Sequence, residues 1–318
     1  MGRSPDPIVG DTMKRAFIFA GQGAQKTGMG LDFYQKDPHF KAFIDTIKQT
    51  TSFDYPAMVF AENPHLHDTH IAQGALCVFS EGVRQAFARE GLFPDAVAGL
   101  SLGEYNALIA SGSTDFETLF PIVLKRSNAM QKATESIQTG MMALRLSYAE
   151  VEALIAPIPD LYIANHNSVS QVVVGGTFEA LESVQRALKE AGLKKGIPLK
   201  TSGAFHTPFM SEALPAIERA FASMTLYPTR IPLYQNLNGQ KTDQPTAQQY
   251  SDHCIQPVRF MTMIESMIHD GITHFIEIGP GGILKKLIQA ISSEAHVDSV
   301  ATWEDFHKVI SQEKGATS

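Results

Sequence analysis

The sequence predicts an α/β protein with a large domain built on a parallel sheet and a small subdomain inserted into it. In three places, at residues 16–30, 95–110 and 273–291, a short apolar run ends in a glycine-containing turn and a helical segment follows. Such repeated units of strand, turn and helix favour a parallel sheet. In the middle of the chain, about sixty residues predict the order β-α-β-β-α-β, which is the ferredoxin-like pattern.

The domain boundaries follow from this change of pattern. We expect residues 13–137 and 201–318 to form the large catalytic domain, and residues 138–200 to form the inserted ferredoxin-like subdomain. Residues 1–12 are polar, with two prolines and two glycines, and they lack the apolar core of a signal peptide. We interpret them as a disordered leader or expression remnant ahead of a natural start at Met13.

Composition and charge exclude several classes of protein. The net charge of −7 argues against nucleic acid as a partner, because nucleic-acid binding depends on basic surfaces. Apolar runs stay below the roughly 18 residues that a membrane span needs. Cys77 and Cys254 are far apart and lie in no metal-binding spacing, so a disulfide framework is not implied. We expect a cytoplasmic protein that binds neither membrane nor nucleic acid.

The first predicted strand, residues 16–20, opens directly into the glycine-rich stretch Gly21-Gln22-Gly23, and Gly28 and Gly30 follow. A buried strand that leads into a glycine-rich loop suggests a backbone that approaches a ligand closely. The alternative is an ordinary tight turn, which the stretch by itself favours.

Residues 31–49 and 71–89 predict helices, and the region between, residues 55–70, predicts a loop. That loop contains three histidines at a spacing that is compatible with a metal site: His65, His67 and His70. They have no carboxylate support, and we therefore interpret them as solvated side chains.

The central motif is Gly99-Leu100-Ser101-Leu102-Gly103, which reads G-x-S-x-G. A predicted strand at residues 95–98 precedes it and a helix at residues 105–110 follows. This arrangement predicts a sharp turn that raises the Ser101 hydroxyl above the sheet, with a helix N-terminus behind it. Five residues form a loose pattern, and a structural turn serine is the alternative. The flanking strand and helix favour a nucleophilic Ser101.

A further helix is predicted at residues 116–134, and it carries Lys125-Arg126 after an apolar turn. Basic side chains at such positions are commonly solvated, or extend along the surface with only the head group in water. From the residues themselves, a structural and a functional Arg126 remain equally open.

The middle of the chain predicts strands at 141–146, 161–165, 171–175 and 196–199, and helices at 148–155 and 178–191. We interpret Asn165-His166-Asn167 as a turn. Beyond it, residues 211–224 and 260–269 predict helices, residues 233–236 and 273–278 predict strands, and residues 283–291 predict the last helix. The glycine loop at 279–282 lacks a following Lys-Ser/Thr and predicts an ordinary strand-to-helix turn, and the polar tail after Glu294 is expected to be peripheral.

His206 lies in a loop, before a predicted helix, and is the best-placed partner for a serine nucleophile. A serine hydroxyl is a poor nucleophile at neutral pH. A neutral imidazole can take its proton during attack and return it to the leaving group. Ser101 and His206 therefore form the candidate catalytic pair.

Taken in order, seven stretches resemble the malonyl-CoA:acyl carrier protein transacylases of fatty-acid synthesis, which are related to polyketide synthase acyltransferase domains. The resemblance covers residues 13 to about 291 and departs at Leu100, where many members have histidine; we expect activity to survive this change. The matching stretches are residues 19–25, 99–105, 125–130, 165–176, 203–207, 256–260 and 277–281.

The resemblance implies a role for each matching residue. Ser101 would be the nucleophile and His206 its base, in a dyad whose second imidazole nitrogen donates to a main-chain carbonyl near His253. The backbone N–H groups of Gln22 and Leu102 would form the oxyanion hole, which gives the glycine-rich loop a function.

The substrate-binding residues implied by the resemblance are Arg126, Phe205 and His253. The guanidinium of Arg126 would hold the malonyl carboxylate through two parallel hydrogen bonds, which a lysine could not reproduce. The ring of Phe205 would leave little room for an α-methyl branch on the acyl group.

The implied reaction is ping-pong transfer of malonyl from malonyl-CoA, through an ester on Ser101, to the phosphopantetheine thiol of holo-acyl carrier protein. It needs no metal and no redox cofactor, and we expect a free-standing monomer. Carrier proteins are usually acidic, so electrostatic docking requires a local basic patch on this acidic chain. The candidate contacts are Lys189, Lys194, Lys195, Lys285 and Lys286.

Two other functions remain as alternatives. A serine esterase or thioesterase on an α/β-hydrolase-like sheet would fit the G-x-S-x-G motif and the downstream histidine. It would leave Arg126 without a purpose, and no clear acidic triad member lies between Ser101 and His206. An inactive carrier-binding protein that kept the fold is the second alternative, and the intact set of candidate residues argues against it.

Overall fold

The computed structural model describes residues 14–316, so the expectation for residues 1–12 lies outside the described part of the chain. The strands in chain order are β1 Lys14–Phe19, β2 Ala96–Gly99, β3 Thr139–Leu144, β4 Leu161–Ser168, β5 Gln171–Thr177, β6 Ile197–Pro198, β7 Leu233–Tyr234, β8 Lys241–Thr242, β9 Ile272–Ile278 and β10 His296–Val300.

The helices surround two separate sheets. In chain order they are α1 Leu31–Lys36, α2 Pro38–Thr50, α3 Tyr55–Val59, α4 Thr69–Arg89, α5 Gly103–Ala110, α6 Phe116–Ser136, α7 Tyr148–Ile155, α8 Phe178–Glu190, a 3-10 helix Pro208–Ala213, α9 Leu214–Phe221, α10 Ala247–Asp252, α11 Phe260–His269, α12 Ile283–Ile291 and α13 Trp303–Ala316. Within residues 14–316, none of these helices has the length and apolar composition that crossing a bilayer requires.

The larger sheet has the strand order β10-β9-β1-β2-β7-β8. Every pairing in it is parallel except the last, between β7 and β8. Side chains of β1 alternate between two apolar layers: Phe17 and Phe19 belong to one buried cluster, and Ala16 and Ile18 to the other. A strand buried on both faces needs an unbroken apolar run, which explains why the sequence of β1 predicts it so clearly.

The smaller sheet is antiparallel and has the order β4-β5-β3-β6. Its elements follow one another as β3-α7-β4-β5-α8-β6, and it has a small apolar core of its own that includes Val151, Val174 and Val184. The chain is therefore a mixed α/β protein in which a largely parallel sheet and a separate antiparallel sheet coexist.

The expectation of a peripheral C-terminal tail is wrong. Residues after Glu294 form β10, which pairs with β9, and α13, which packs on the core. Val297, Val300 and Phe306 are buried. The segment looks polar because it is an edge strand followed by a surface helix, and each of them exposes one face to water.

The interpretation of Asn165-His166-Asn167 as a turn is also wrong, since these residues continue strand β4. Asn165 and Asn167 are buried, and the Asn167 amide donates to Gln171 on the paired strand at 2.9 Å. The main chain of His166 donates to the carbonyl of Val258 at 2.8 Å. Because these polar groups find hydrogen-bond partners, the strand continues where the composition of the segment suggests a turn.

Two predicted helices are divided by proline. The single helix expected at residues 31–49 is two helices, because Pro38 begins α2 and the Asp37 carboxylate accepts from the amide of His39 as its N-cap. Residues 211–224 form the end of the 3-10 helix and then α9, with Pro215 in its first turn. The loop expected at residues 55–70 contains the short helix α3. Proline is favoured in the first turn of a helix, where its missing N–H leaves no partner unsatisfied.

Candidate active site

Ser101 lies at the sharp turn between β2 and α5, with a positive φ of 52°. The two flanking glycines are sterically required. A Cβ atom on Gly99 would lie 2.1 Å from the carbonyl carbon of Gly103, and one on Gly103 would lie 2.0 Å from the carbonyl oxygen of Phe19. Backbone strain of this kind, held in place by surrounding structure, is characteristic of functional sites.

Ser101 Oγ lies 2.6 Å from His206 Nε2. His206 also has a positive φ, 59°, and is buried. Its other ring nitrogen, Nδ1, lies 2.8 Å from the main-chain carbonyl oxygen of His253. A carbonyl can only accept, so we assign the proton to Nδ1, which leaves Nε2 to accept from the serine hydroxyl. The structure thus brings together three residues from sequence positions more than 40 residues apart.

Burial holds the pKa of His206 well below its ordinary value, and the nearby His253 and Arg126 lower it further. The imidazole is therefore neutral at pH 7. A neutral imidazole is the form that can accept a proton from serine.

The main chain at Ser101 is held in place by a buried polar network that was not predicted from the sequence. Asn236 Oδ1 accepts from the main-chain amide of Ser101 at 2.8 Å, and Asn236 Nδ2 donates to the carbonyl of Gly99 at 2.6 Å. The amide of Asn236 donates to Glu104 Oε1 at 3.0 Å. Glu104 Oε2 lies 3.1 Å from His253 Nδ1. The network therefore reaches both Ser101 and His253, whose main-chain carbonyl contacts the imidazole of His206.

Glu104 and His253 are both buried, and burial disfavours the charged form of each. It raises the pKa of Glu104 to about 8. The pKa of His253 falls to about 3, because of burial first and the charge of Arg126 second. At pH 7 the pair is therefore a neutral hydrogen bond in which the carboxyl group keeps the proton. One signal for Glu104 was present in the sequence: it occupies the first turn of the helix that follows the serine.

The glycine-rich loop after β1 packs directly against the serine turn. A Cβ atom on Gly21 would lie 2.4 Å from the carbonyl oxygen of Leu100. Among the hydrogen bonds within residues 14–316, none has the main-chain N–H of Gln22 or of Leu102 as its donor. These two N–H groups lie on adjoining turns next to Ser101, and within the described residues neither has an acceptor.

Arg126 projects from α6 and is 1% exposed. One guanidinium nitrogen donates to Gln73 Oε1 at 2.6 Å, and the group lies 5.0 Å from the ring centre of Tyr105. Its Nε atom has no hydrogen-bond partner. Across residues 14–316, no carboxylate oxygen lies within the 4.0 Å of an ion pair with this guanidinium. The structure therefore buries a cation that is near enough to His206 to lower its pKa, and no anion in the described part of the chain is in ion-pair contact with it.

Gln73, which was also missed, connects Arg126 to the glycine-rich loop. Its side-chain amide donates to Gln22 Oε1 at 3.1 Å, while Gln22 Nε2 donates to Thr69 Oγ1 at 3.1 Å. The guanidinium and the loop are therefore held relative to each other by a chain of amide hydrogen bonds. Gln73 and Thr69 both belong to α4, outside the sequence motifs of the site.

The remaining predicted site residues lie in different surroundings. Phe205 is buried in the main apolar cluster, directly before His206. Lys189, Lys194 and Lys195 are exposed at and after the end of α8, whereas Lys285 is half-buried and Lys286 is exposed in the first turn of α12. The lysines thus form two groups on different elements. His65 contacts Asp68 at 2.9 Å, so the expectation that this histidine lacks carboxylate support is wrong, and His67 contacts Gln25 at 3.0 Å.

A serine and a histidine in contact at a strained strand-to-helix turn, above a largely parallel sheet, define a protein of the nucleophilic-serine class. The sequence comparisons identify the family more closely. Residues 16–308 match the family described as acyl transferase domain. The chain therefore belongs to the acyl transferase family, in the group of the malonyl CoA-acyl carrier protein transacylases.

Relatives and solved structures support this placement over nearly the full length. A malonyl CoA-acyl carrier protein transacylase of Bacillus subtilis is 30% identical over 305 residues, which cover 93% of this chain and 96% of the relative. The crystal structure of MCAT from Streptococcus pneumoniae is 34% identical and superimposes with a TM-score of 0.89, covering 94% of this chain and all of that one. A malonyl-transacylase solved in complex with a type II polyketide synthase acyl-carrier protein is 25% identical, with a TM-score of 0.88 over 94% of this chain and 99% of that one.

Proposed function

We propose that this enzyme transfers the malonyl group of malonyl-CoA to the phosphopantetheine thiol of acyl carrier protein, through an ester on Ser101. The observation that carries the proposal is the buried Arg126, which has no carboxylate in ion-pair contact within residues 14–316. A buried charge without a counter-ion is costly. A substrate that brings its own carboxylate would remove that cost, and malonyl-CoA carries one on its acyl group.

In the first half-reaction, Ser101 Oγ attacks the thioester carbonyl carbon while His206 Nε2 takes the hydroxyl proton. The carbonyl oxygen becomes an oxyanion, which the amides of Gln22 and Leu102 bind. The intermediate collapses, the carbon–sulfur bond breaks, and the CoA sulfur takes the proton from His206. A malonyl ester on Ser101 remains, and His206 is neutral again.

The second half-reaction reverses these steps with a different thiol. The phosphopantetheine thiol of the carrier protein gives its proton to His206, and its sulfur attacks the ester carbonyl carbon. The same two amides bind the oxyanion. The bond to Ser101 Oγ then breaks, and the serine takes its proton back from His206. The products are malonyl-carrier protein and the free enzyme.

In this scheme, the rate acceleration comes from positioning of the substrate and from electrostatic stabilisation of the oxyanion. Each preorganised amide at the oxyanion contributes about 3 kcal/mol to lowering the barrier. The guanidinium of Arg126 would hold the malonyl carboxylate through two parallel hydrogen bonds and thereby place the thioester carbonyl over Ser101. The ring of Phe205 would restrict branching at the α-carbon.

Several further features belong to this proposal. Serine, imidazole and backbone amides supply every step, so the reaction needs no metal and no redox cofactor. We place the large domain among α/β-hydrolase-like folds. We also expect the enzyme to be a monomer and to act in fatty-acid synthesis in the cytoplasm. The complex of a malonyl-transacylase relative with an acyl-carrier protein supports the choice of a carrier protein as acceptor.

Carrier docking is proposed to use basic side chains near the site. The two lysines on the first turn of α12, Lys285 and Lys286, follow the carboxyl end of β9, which is the same edge of the sheet as the Ser101 turn. Reversing both charges should raise the KM for carrier protein without slowing formation of the malonyl enzyme. A second variant reverses the charges of Lys189, at the end of α8, and of Lys194, which follows the helix, because these belong to the other group of candidate lysines. Unchanged saturation by carrier protein in both variants would count against lysine docking.

The decisive experiment is mass spectrometry of the intact protein after mixing with malonyl-CoA. We expect one malonyl adduct, located on Ser101 by peptide mapping, which disappears when holo-carrier protein is added and reappears on that protein. Ser101→Ala should form no adduct. Absence of loading in the wild type would indicate an inactive carrier-binding protein.

The same experiment separates transfer from hydrolysis. A transferase ester should survive in water for many turnovers and discharge when the carrier thiol arrives. Rapid release of free malonate, at a rate that the carrier protein does not change, would establish a serine hydrolase instead.

A further inference from the structure

A second cluster of reactive side chains lies near the amino-terminal ends of two strands of the large sheet, whereas Ser101 follows the carboxyl-terminal end of β2. It consists of His274 on β9 with His296 and Asp298 on β10. His274 and His296 are register partners on adjacent parallel strands, and Asp298 lies two residues beyond His296. Because strand side chains alternate with a period of two, all three lie on one face. The reaction proposed for Ser101 uses none of them.

The geometry of the cluster suits a metal ion. One ligand atom from each side chain lies within 4.8 Å of the other two. Asp298 Oδ2 is 3.0 Å from His274 Nε2 and 3.0 Å from His296 Nε2. Two imidazoles and a carboxylate form a common ligand set for Zn²⁺, which binds them at about 2.0–2.2 Å and takes a fourth ligand from water.

The surroundings complete the resemblance to a metal site. His274 Nδ1, the nitrogen that faces away from Asp298, lies 3.1 Å from Glu313 Oε1. The two atoms do not meet the geometry of a hydrogen bond, but the contact places a carboxylate next to the ring nitrogen opposite the proposed ligand atom, where proteins often place one behind a ligating histidine. Glu313 is in turn paired with Arg15 at 2.8 Å. The two carboxylates and one guanidinium leave a net negative charge around the cluster when the histidines are neutral, which favours a dication.

Access and rigidity also fit. His274 and Asp298 are mostly buried, whereas the side chain of His296 is 57% exposed, so an ion can enter from solvent. The ligands lie on two hydrogen-bonded strands and not on a loop.

We propose that His274, His296 and Asp298 bind one divalent transition-metal ion, for which Zn²⁺ is the best match. The ion would tie the edge strand β10 to β9. It would act as a structural clip, since the cluster lies at the amino-terminal edge of the strands, away from the carboxyl-terminal edge at which Ser101 stands.

The test uses the full chain, freed of metal with a chelator, and Zn²⁺ as the probe. We expect saturable binding of one ion per chain and a rise of several degrees in the unfolding temperature, because the ion binds the folded state selectively. His296→Ala changes an exposed side chain, and Asp298→Asn keeps the shape of the carboxylate. Both should weaken binding at least about tenfold and abolish the rise.

A matched control is His65→Ala, which removes another exposed histidine that contacts an aspartate, at 2.9 Å, outside the proposed cluster. It should bind Zn²⁺ as the wild type does. Metal-free His296→Ala should unfold at the temperature of the metal-free wild type, which separates loss of a ligand from misfolding. The proposal is overturned if the wild type shows no saturable binding, or if both ligand variants keep wild-type affinity.

Discussion

Glu104 and His253 form a buried pair next to the imidazole of His206, with Glu104 Oε2 3.1 Å from His253 Nδ1. Their burial favours neutral forms of both. The pair connects two supports: the carbonyl of His253 accepts from His206, and Glu104 accepts from the amide of Asn236, whose side chain accepts from Ser101. The carboxyl group of Glu104 is therefore connected by hydrogen bonds to the supports of both Ser101 and His206.

The first prediction concerns the protonation of this pair. In Glu104→Gln, the amide can donate to His253 Nδ1 and its oxygen can still accept from Asn236, so it imitates a protonated carboxyl group. We expect kcat for malonyl transfer to stay within a few-fold of the wild type. Glu104→Ala removes both contacts, and small displacements of catalytic groups can cost about a hundredfold. Steady-state kinetics of the two variants provide the comparison. If glutamine is as damaging as alanine, the pair is ionic.

The second prediction is the pH profile of kcat/KM, which reports the ionisation of the free enzyme. Activity requires neutral His206, whose pKa burial holds well below the ordinary value of 6.5. On the acid side, the rate should therefore be constant down to pH 6.5 and fall only at distinctly lower pH. Above about pH 8, loss of the Glu104 proton places a negative charge in the network, and the rate should decline.

Glu104→Gln serves as the control for the basic side of this profile. Glutamine does not ionise, so the decline above about pH 8 should disappear in the variant while the acid side stays unchanged. An acid limb centred at or above pH 6.5 in the wild type would contradict the proposed state of His206. A basic limb that persists in the variant would assign it to another group.

The turn around Ser101 could be predicted from sequence because the glycines that it requires flank the serine directly in the chain. The close approach of Gly99 to Gly103, and of Gly103 to Phe19, is a steric condition that only glycine meets, and it marks the motif directly. The support from Asn236 could not be predicted in this way. Asn236 and Ser101 are 135 residues apart in sequence, and an asparagine after a short strand has many ordinary uses.

Arg126 illustrates a different limit. Its sequence context describes an arginine beside apolar turns, for which a solvated head group is the usual outcome. Complete burial and the absence of an ion-pair partner within residues 14–316 are properties of the packed fold. The pattern of a short segment does not contain them, and only the family resemblance assigned the residue a role.

The C-terminal segment shows how composition misleads at an edge. Many positions in β10 and α13 face solvent, so the average is polar although the inward side is mostly apolar. Phe306 is buried, and its ring lies 4.8 Å from that of Phe87 and 5.9 Å from that of Phe33. The inward positions are visible in the sequence only after the register of the helix is known.

The third prediction follows from this packing. Phe306→Ala should lower the free energy of unfolding by about 3–5 kcal/mol, the usual cost of removing a buried aromatic ring. Lys308→Ala, two residues along the same helix and exposed, should change it by less than about 0.5 kcal/mol. Urea unfolding measures both. If Phe306→Ala changed the free energy of unfolding as little as Lys308→Ala does, the C-terminal helix would be peripheral to the core.

The fourth prediction concerns acyl specificity. Arg126→Ala would remove the two charge-assisted hydrogen bonds that we propose to the malonyl carboxylate, and bonds to charged groups contribute about 1.5–3 kcal/mol each. Malonyl transfer should therefore fall about a hundredfold or more in kcat/KM. Acetyl transfer, which makes no use of the guanidinium, should hold or rise, because an acetyl group brings no carboxylate into the site. Parallel assays with malonyl-CoA and acetyl-CoA measure the ratio.

Arg126→Lys tests whether charge or geometry decides this specificity. Lysine keeps the positive charge but cannot form two parallel hydrogen bonds with a carboxylate, and it would also lose the contact that the guanidinium makes with Gln73. We expect malonyl transfer by the lysine variant to lie between the wild type and the alanine variant. If both acyl groups lose activity equally in Arg126→Ala, the guanidinium acts by holding Gln73 and the glycine-rich loop in place, and the carboxylate of the substrate is recognised elsewhere.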